Sequence, residues 1–249
     1  MHISLAAEKI IEVGPIAITN TMLATWVVIA ILSILAVKIS RNIKTIPGQL
    51  QNIFEFALEA IENLIQDVTI DKVKTRKFLP LVATFFIFIV AINWIGLVPG
   101  FETIGRWTTI NGEKVLEPFL RTAASDLNTT LALAIISIVA VQIFGVKSLG
   151  LKYFQKFLNF KGPIEWFVGV IETVSEFAKI ISFSFRLFGN VFAGMVLLAV
   201  ISSFIPLIAS VPFYGLELFV GFVQALVFAM LTTVFLFMAT VSHDEPNEH

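Results

Sequence analysis

The 249-residue chain contains no cysteine, and only 14% of its residues are charged, against about 25% in soluble domains. The missing cysteines exclude disulfides, thiol nucleophiles and thiolate metal sites. The three histidines lie at positions 2, 243 and 249, which leaves none mid-chain for a metal site or a proton relay. A formal net charge of −1 excludes the basic field that nucleic acids attract. We therefore expect no metal, no cofactor and no nucleic-acid partner.

The chain is rich in apolar residues. They make up 57% of the sequence, with 25 phenylalanines and a mean hydropathy of +0.90. Five continuous apolar stretches reach the roughly 20 residues of a spanning helix, namely residues 16–37, 78–98, 127–146, 164–205 and 213–241. Continuous runs argue against a β-barrel, whose strands alternate. We expect an all-α polytopic protein in which residues 1–249 form a single integral membrane domain.

The basic residues between the spans predict the orientation, because cytoplasmic loops are enriched in lysine and arginine. With alternating sides, one side has eleven: Lys38, Arg41, Lys44, Lys72, Lys74, Arg76, Lys77, Lys147, Lys152, Lys156 and Lys161. The other side has four: Lys9, Arg106, Lys114 and Arg121. We therefore predict an external N-terminus and a cytoplasmic C-terminus. No targeting segment is recognisable, which favours a bacterial inner (plasma) membrane over an organelle membrane.

Residues 47–68 are amphipathic rather than apolar. Apolar side chains recur at helical spacing from Leu50 to Ile65. Glutamates such as Glu55 and Glu59 lie elsewhere around the helix, whereas helices held by anionic lipid usually carry lysine and arginine. The pattern predicts a helix on the cytoplasmic surface that either docks on a protein partner or simply links two spans.

The fourth apolar segment, residues 164–205, is too long for an upright span. As one helix its 42 residues would measure about 63 Å, twice the hydrocarbon thickness. It is either one strongly tilted helix or two spans turning near Gly189 and Asn190. A turn there would leave unpaired backbone groups in lipid, so we favour the tilted helix. Residues 213–241 are also long, and the two segments together predict a slanted helical hairpin.

Two basic residues, Lys179 and Arg186, lie inside a predicted span. A charge at a helix centre costs about 2.5–3.5 kcal/mol on insertion scales. Arg186 stands near the middle of its segment and stays charged at every accessible pH. It is either paired with a carboxylate within the bundle or a fixed positive charge on an ion path, and we favour the second interpretation.

The polar residues of the long segment share one stripe at 100° per residue: Glu172, Glu176, Lys179, Ser182, Arg186 and Asn190. The two glutamates of this stripe either pair with Lys179 at the membrane interface or line an aqueous path. The stripe runs from the predicted cytoplasmic end to the middle of the membrane.

A second polar stripe lies on the last span. Glu217, Gly221 and Gln224 follow one another at i, i+4 and i+7, near the external end. Glu217 is either a water-exposed interfacial residue or part of a path, and Asn93 of the second span either makes an interhelical hydrogen bond or joins that path. Gly189, Gly194 and Gly221 are expected to let a neighbouring helix approach closely. One stripe opening inward and another opening outward, with Arg186 between them, describes two half-channels that do not connect.

The segment SFRLFGN at 184–190, followed by Ala193 and Gly194, resembles the signature of subunit a of F-type ATP synthases. Residues 93–99, 126–131, 224–225 and 231–232 resemble further segments of that family. The resemblance implies a non-catalytic stator subunit that offers two offset half-channels to a rotating c-ring, so that proton flow drives ATP synthesis. It implies the c-ring, the peripheral-stalk b subunits and other synthase subunits as partners.

The resemblance also implies residue roles. Arg186 would face the ion-binding carboxylates of the ring and block direct passage between the half-channels. Further positions match the family's proton path: Glu172, Ser182, Asn190 and Gln224. Three positions depart from the family pattern: Met195 stands where many members have glutamate, Glu217 where histidine is frequent, and Gly96 where aspartate is frequent. An ion-coupled secondary transporter is the alternative, although we find none of the inverted repeats typical of that class.

Overall fold

A computed structural model of the chain contains six α-helices and two short β-hairpins among the residues it describes, 8–13, 16–98, 100–110, 113–157, 162–204 and 210–241. The helices are α1 (Asn20–Arg41), α2 (Gln49–Thr69), α3 (Lys72–Ile95), α4 (Leu127–Leu149), α5 (Pro163–Phe204) and α6 (Ser210–Thr240). All of them except α2 are long and apolar enough to cross a membrane. The predicted all-α polytopic class is confirmed.

Two antiparallel hairpins were not predicted from the sequence. They pair β1 (Lys9–Val13) with β2 (Ile16–Thr19), and β3 (Gly105–Ile110) with β4 (Glu113–Pro118). The first precedes α1, and the second lies between α3 and α4, so both belong to segments outside the membrane-spanning helices. Short 3₁₀ turns at Ala123–Ser125 and Gly150–Lys156 complete the connections.

α5 is one helix of 42 residues that continues through Gly189 and Asn190. The alternative of two spans with a turn at these residues is therefore wrong. At 1.5 Å per residue, α5 measures about 63 Å and the 31-residue α6 about 46 Å. The two helices pack against each other and form the predicted hairpin of long helices.

The centre of the bundle is formed by α3, α4 and α6, with α5 packed against α4 and α6. Aromatic rings from three helices meet there: the ring centroids of Phe183 and Phe228 lie 4.8 Å apart, and those of Phe85 and Phe228 lie 5.4 Å apart. Since lipid is as apolar as these side chains, such helices associate through close packing rather than through the hydrophobic effect.

Two buried hydroxyl pairs join α4 to its neighbours. The Thr130 and Ser184 hydroxyl oxygens lie 3.1 Å apart, and those of Ser137 and Thr232 lie 3.0 Å apart. The first pair joins α4 to α5 and the second joins α4 to α6. Because a helix cannot rotate without breaking such a contact, the first pair fixes which face of α5 points inward.

The second half of α2 packs on the chain's own α3 and α6, with Ile61 and Ile65 buried. A left-handed residue, Ile70 at φ 56°, ends the helix, and the Asp71 carboxylate then accepts from the backbone N–H of Val73 at 2.7 Å to begin α3. The first half of α2 exposes large apolar side chains, among them Phe56. The amphipathic helix is therefore partly covered by its own chain and partly open.

α1 is attached mainly at its first turns. In its most apolar window 11% of the residues are buried, against 39% in α3, α4 and α6. The Thr21 hydroxyl donates to Asp126 Oδ2 at 2.8 Å, while Asp126 Oδ1 accepts from the Asn128 N–H at 2.9 Å and so caps α4. A single carboxylate thus caps one helix and anchors another.

We expect Asp126→Ala to lower the free energy of unfolding by about 2 kcal/mol, because it removes both a helix cap and the acceptor of a buried hydroxyl. The measurement is the melting temperature of the full-length protein in detergent micelles. Asp126→Asn retains a capping oxygen and should lose less. Asn128→Ala changes an exposed side chain two residues away, and equal melting temperatures for Asp126→Ala and Asn128→Ala would contradict the double role.

Candidate functional site

Arg186 lies near the middle of α5, on the face turned away from the other helices. Phe183, Ser184 and Leu187 are buried, whereas Arg186 is exposed. Its Nη2 lies 3.5 Å from the Ser182 hydroxyl oxygen, one turn earlier. Within the described ranges no carboxylate makes a salt bridge to it. The interpretation of Arg186 as one half of an ion pair inside the bundle is therefore not realised in this part of the chain.

Two glutamates in the third and fourth turns of α5 are paired with lysines. Glu172 Oε1 lies 2.6 Å from Lys156 Nζ, and Glu176 Oε1 lies 2.8 Å from Lys179 Nζ. Lys179 also stands over the Phe235 ring of α6, 4.7 Å from its centroid. The predicted pairing with Lys179 therefore holds for Glu176, while Glu172 pairs with a lysine from outside α5.

The predicted stripe on α5 extends from Glu172 to Asn190, about 27 Å along the helix. Ser182 is exposed beside Arg186, and Asn190, one turn further on, is half-buried. About 15 Å of helix separates Glu176 from Arg186. The structure therefore joins the glutamates and Lys179 in one ion cluster and keeps Arg186 apart from them.

Glu217 of α6 lies against the backbone of α5. A Cβ on Gly194 would overlap the Glu217 carboxyl group, so a larger residue at position 194 would require this carboxyl group to move. Glu217 is half-buried. Gly194 lies eight residues beyond Arg186, about 12 Å further along α5. A carboxylate therefore lies on the opposite side of Arg186 from the ion cluster.

Asn93 and Gln224 bring buried amides to the contact between α3 and α6. Asn93 Nδ2 donates to the Gly221 carbonyl at 3.1 Å, so this asparagine does make an interhelical hydrogen bond. Asn93 Oδ1 and Gln224 Nε2 are buried, and neither has a hydrogen-bond partner among the described protein groups. Buried amides that lack protein partners are ordinarily satisfied by water. The interface therefore offers one acceptor and one donor to water.

The glycine predictions hold at two of three positions. Gly194 admits Glu217, and at Gly221 a Cβ would come within 3.1 Å of the Asn93 Cβ. At Gly189, by contrast, no atom of the described chain lies within 4 Å of a Cβ, so the expectation of close helix packing there is wrong within this chain.

Two departures from the family pattern have structural reasons. Met195 packs against the apolar core formed by α3, α4, α5 and α6. A Cβ at Gly96 would overlap the Thr122 side chain, so an aspartate does not fit this position as it is packed.

Lys156 is a member of the ion cluster on α5 that the sequence did not single out. It was predicted only to be one of the basic residues of a cytoplasmic loop. Its contact with Glu172 crosses from the connection between α4 and α5 to α5 itself. Helical spacing relates residues within one helix, so no periodic signal could reveal this pair.

Comparison with known proteins places these observations in a family. The family model described as ATP synthase A chain matches residues 22–237. The chain is also 35% identical over 215 residues to a protein named ATP synthase subunit a from Geotalea uraniireducens (strain Rf4), a match that covers 85% of this chain and 83% of the relative.

Because the chain has no cysteine, paired substitutions can test the contact between α5 and α6. We expect a Gly194→Cys, Glu217→Cys variant to form a disulfide under mild oxidation in membranes, because the two side-chain positions adjoin. The measurement is the loss of maleimide labelling.

A Ser202→Cys, Ser210→Cys variant is the positive control, since those hydroxyl oxygens lie 3.1 Å apart on the same two helices. A Gly189→Cys, Glu217→Cys variant should keep both thiols free. Disulfide formation at 202 and 210 without any at 194 and 217 would contradict the helix register described above.

Proposed function

The chain belongs to the ATP synthase A chain family, and from this membership we propose which residues carry protons and which surfaces meet the other subunits. The family forms the proton channel of the F-type membrane sector, and its members are non-catalytic, proton-translocating subunits of the complex. Other ATP synthase subunits are therefore its partners. The secondary-transporter alternative has no support.

Arg186 is the central residue of the proposal. The observation that carries it is an exposed arginine at the middle of a span, without a carboxylate partner in the described chain. Such a charge is expensive in hydrocarbon unless an opposite charge meets it. A carboxylate on another subunit supplies that charge if the exposed face of α5 lies against the c-ring. Arg186 then attracts each ring carboxylate as it loses its proton, and it repels protons that would cross directly between the half-channels.

The inner half-channel is proposed to follow the stripe on α5. Glu172 and Glu176 form its mouth, and Ser182 and Asn190 lie beside Arg186 on the same stripe. Lys179 acts as the partner of Glu176 rather than as a proton carrier, because its ammonium is held by that carboxylate and by the Phe235 ring.

The outer half-channel is proposed to follow α6. Glu217 is its carboxylate, replacing the acid that many relatives have at the position of Met195. Asn93 and Gln224 continue the path inward, and their unpaired amide groups are suited to hold water. The contact of Glu217 with Gly194 supports this assignment, because it brings the carboxylate onto α5, the helix that carries Arg186.

The proposed mechanism follows from the placement of these charges. A proton entering past Glu217 neutralises a ring carboxylate, which can then turn into lipid at low cost. After almost a full turn the site meets the inner stripe and releases its proton towards Glu172. Each proton supplies about 2.3 kcal/mol per 100 mV of membrane potential, so several are needed for one ATP.

The exposed surfaces suggest where the partners dock. One row of large apolar side chains flanks Arg186 on α5 and is proposed to face the c-ring: Ile171, Val174, Phe177, Ile181 and Phe185. The sparsely buried α1 and the open first half of α2 are proposed to meet the b subunits of the peripheral stalk. We place the protein in a bacterial inner membrane, with its N-terminus outside and its C-terminus in the cytoplasm.

Arg186→Ala should reduce ATP-driven proton pumping in inverted membrane vesicles at least about tenfold, because no other cation of the described chain can take its place beside the ring carboxylates. Arg106→Ala is the matched control, since it removes an exposed arginine from the β3–β4 hairpin. Pumping at the wild-type rate in Arg186→Ala, at wild-type levels of assembled complex, would overturn the proposed role.

The proposed orientation is tested with single cysteines at two exposed positions on opposite sides, Lys44→Cys and Arg106→Cys. In right-side-out vesicles, a membrane-impermeant maleimide should label Arg106→Cys and spare Lys44→Cys, because the β3–β4 hairpin is proposed to face outward and the connection between α1 and α2 to face the cytoplasm. The pattern should reverse in inverted vesicles. Labelling of Lys44→Cys from outside would reverse the assigned topology.

A further inference from the structure

The ion cluster at the start of α5 contains one member from another element. Glu172, Glu176 and Lys179 belong to α5, whereas Lys156 is the last residue of the 3₁₀ turn Gly150–Lys156 that follows α4. Lys156 Nζ lies 2.6 Å from Glu172 Oε1 and 3.8 Å from Glu176 Oε1. The Lys156 ammonium is therefore shared by both carboxylates. It links the connection between α4 and α5 to the proposed mouth of the inner half-channel.

The turn that bears Lys156 is anchored to α4. Tyr153 is 3% exposed, and its hydroxyl donates to Gln142 Oε1 at 2.6 Å. A Cβ on Gly145 would overlap the Tyr153 ring, so glycine is required for the ring to lie against α4. Burial raises the pKa of Tyr153 to about 12, with Glu176 and Glu172 adding to the effect. The hydroxyl therefore stays neutral and does not compete with the carboxylates for the lysine.

The turn is also held against α5. A Cβ on Gly169 would overlap the Phe157 carbonyl, so the backbone just after Lys156 lies directly on α5. Lys156 Nζ also lies 5.7 Å from the centroid of the Phe157 ring. Lys156 is thus presented to the glutamates by a segment that contacts helices on both sides.

The two carboxylates depend on this lysine to different degrees. Lys156 supplies the one salt bridge that Glu172 makes within the described ranges. Glu176 has Lys179 as well, yet its Oε2 is buried and has no hydrogen-bond partner among the described groups. A buried carboxylate that loses a counter-charge is strongly destabilised.

Among the described residues, no cation other than Lys156 and Lys179 makes a salt bridge to Glu172 or Glu176. Lys147 on α4 and Lys152 on the turn are exposed. The single charged residue of α6 is Glu217, near the opposite end of the hairpin. Arg186 lies ten residues beyond Glu176 on α5, about 15 Å away along the helix.

We propose that Lys156 is a positioning residue of the proton path: its ammonium, shared by Glu172 and Glu176, fixes the two carboxylates at the inner mouth and balances their charge. This inference rests on the proposed function of the α5 stripe. It assigns a role to the connection between α4 and α5, because this connection carries the lysine that fixes the two glutamates at the mouth of the inner half-channel.

The test compares three single variants in the assembled ATP synthase, using ATP-driven proton pumping in inverted vesicles. Lys156→Met should lower pumping about tenfold, as is common when a partner that orients a functional group is removed. Lys156→Arg retains the charge and should restore most of the rate. Lys152→Met removes an exposed lysine from the same turn and should pump normally. Wild-type pumping in Lys156→Met would overturn the proposal.

A double-variant cycle distinguishes positioning from general stability. If Lys156 acts through Glu172, then Lys156→Met combined with Glu172→Gln should pump no worse than Glu172→Gln alone, because the two losses are not additive. Losses that multiply would overturn the proposal. Should Lys156→Met fail to assemble, recovery of assembly in the double variant supports the proposal, and failure to recover contradicts it.

Arg186→Ala, run in the same vesicles, separates the two hypotheses. Pumping lost in Arg186→Ala but normal in Lys156→Met refutes the role of Lys156 and leaves the proposed function standing. Normal pumping in Arg186→Ala refutes the proposed function itself.

Discussion

A charge surrounded by hydrocarbon must meet an opposite charge or water, and this requirement organises α5 from one end to the other. In its third and fourth turns the helix satisfies the requirement within the chain, through Lys156 and Lys179. At its middle it does not, since Arg186 faces outward without a carboxylate in the described residues. The charges of α5 are therefore balanced within the chain near its start and not at its middle, and this difference supports the proposal that the surface around Arg186 meets the c-ring.

Placing Arg186 on that surface depends on contacts that carry no charge. Thr130 and Ser184 bind across α4 and α5, and the Phe183 ring packs against Phe228 of α6. Both contacts lie within three residues of Arg186 and leave it only one direction in which to point. In a membrane, where burying apolar surface against apolar surface gains little, such directional contacts decide the rotation of a helix.

The sequence was sufficient to predict whatever depends on length, periodicity or the cost of a misplaced charge. The five long apolar helices, the continuity of α5 and the isolation of Arg186 are of this kind. Contacts between elements could not be predicted from the sequence. Lys156 contacts Glu172 from a separate turn, and Asp126 anchors α1. A Cβ at Gly189 would meet no atom of the described residues, although a Cβ at Gly194 would meet Glu217. The β-hairpins were not predicted either, because strands of four to six residues give a weak signal beside spans of about twenty. Glu217 was identified from its charge. Its contact with Gly194 could not be predicted, because this contact depends on the register between α5 and α6.

The contact between Gly194 and Glu217 has a consequence for the position of the carboxylate. A side chain at position 194 would occupy the volume that the Glu217 carboxyl group now fills. Because that carboxyl group is the end of a flexible side chain, a larger residue at position 194 would displace it from α5 without forcing the two helices apart. Gly194 therefore sets how closely the carboxylate of α6 approaches the helix that carries Arg186.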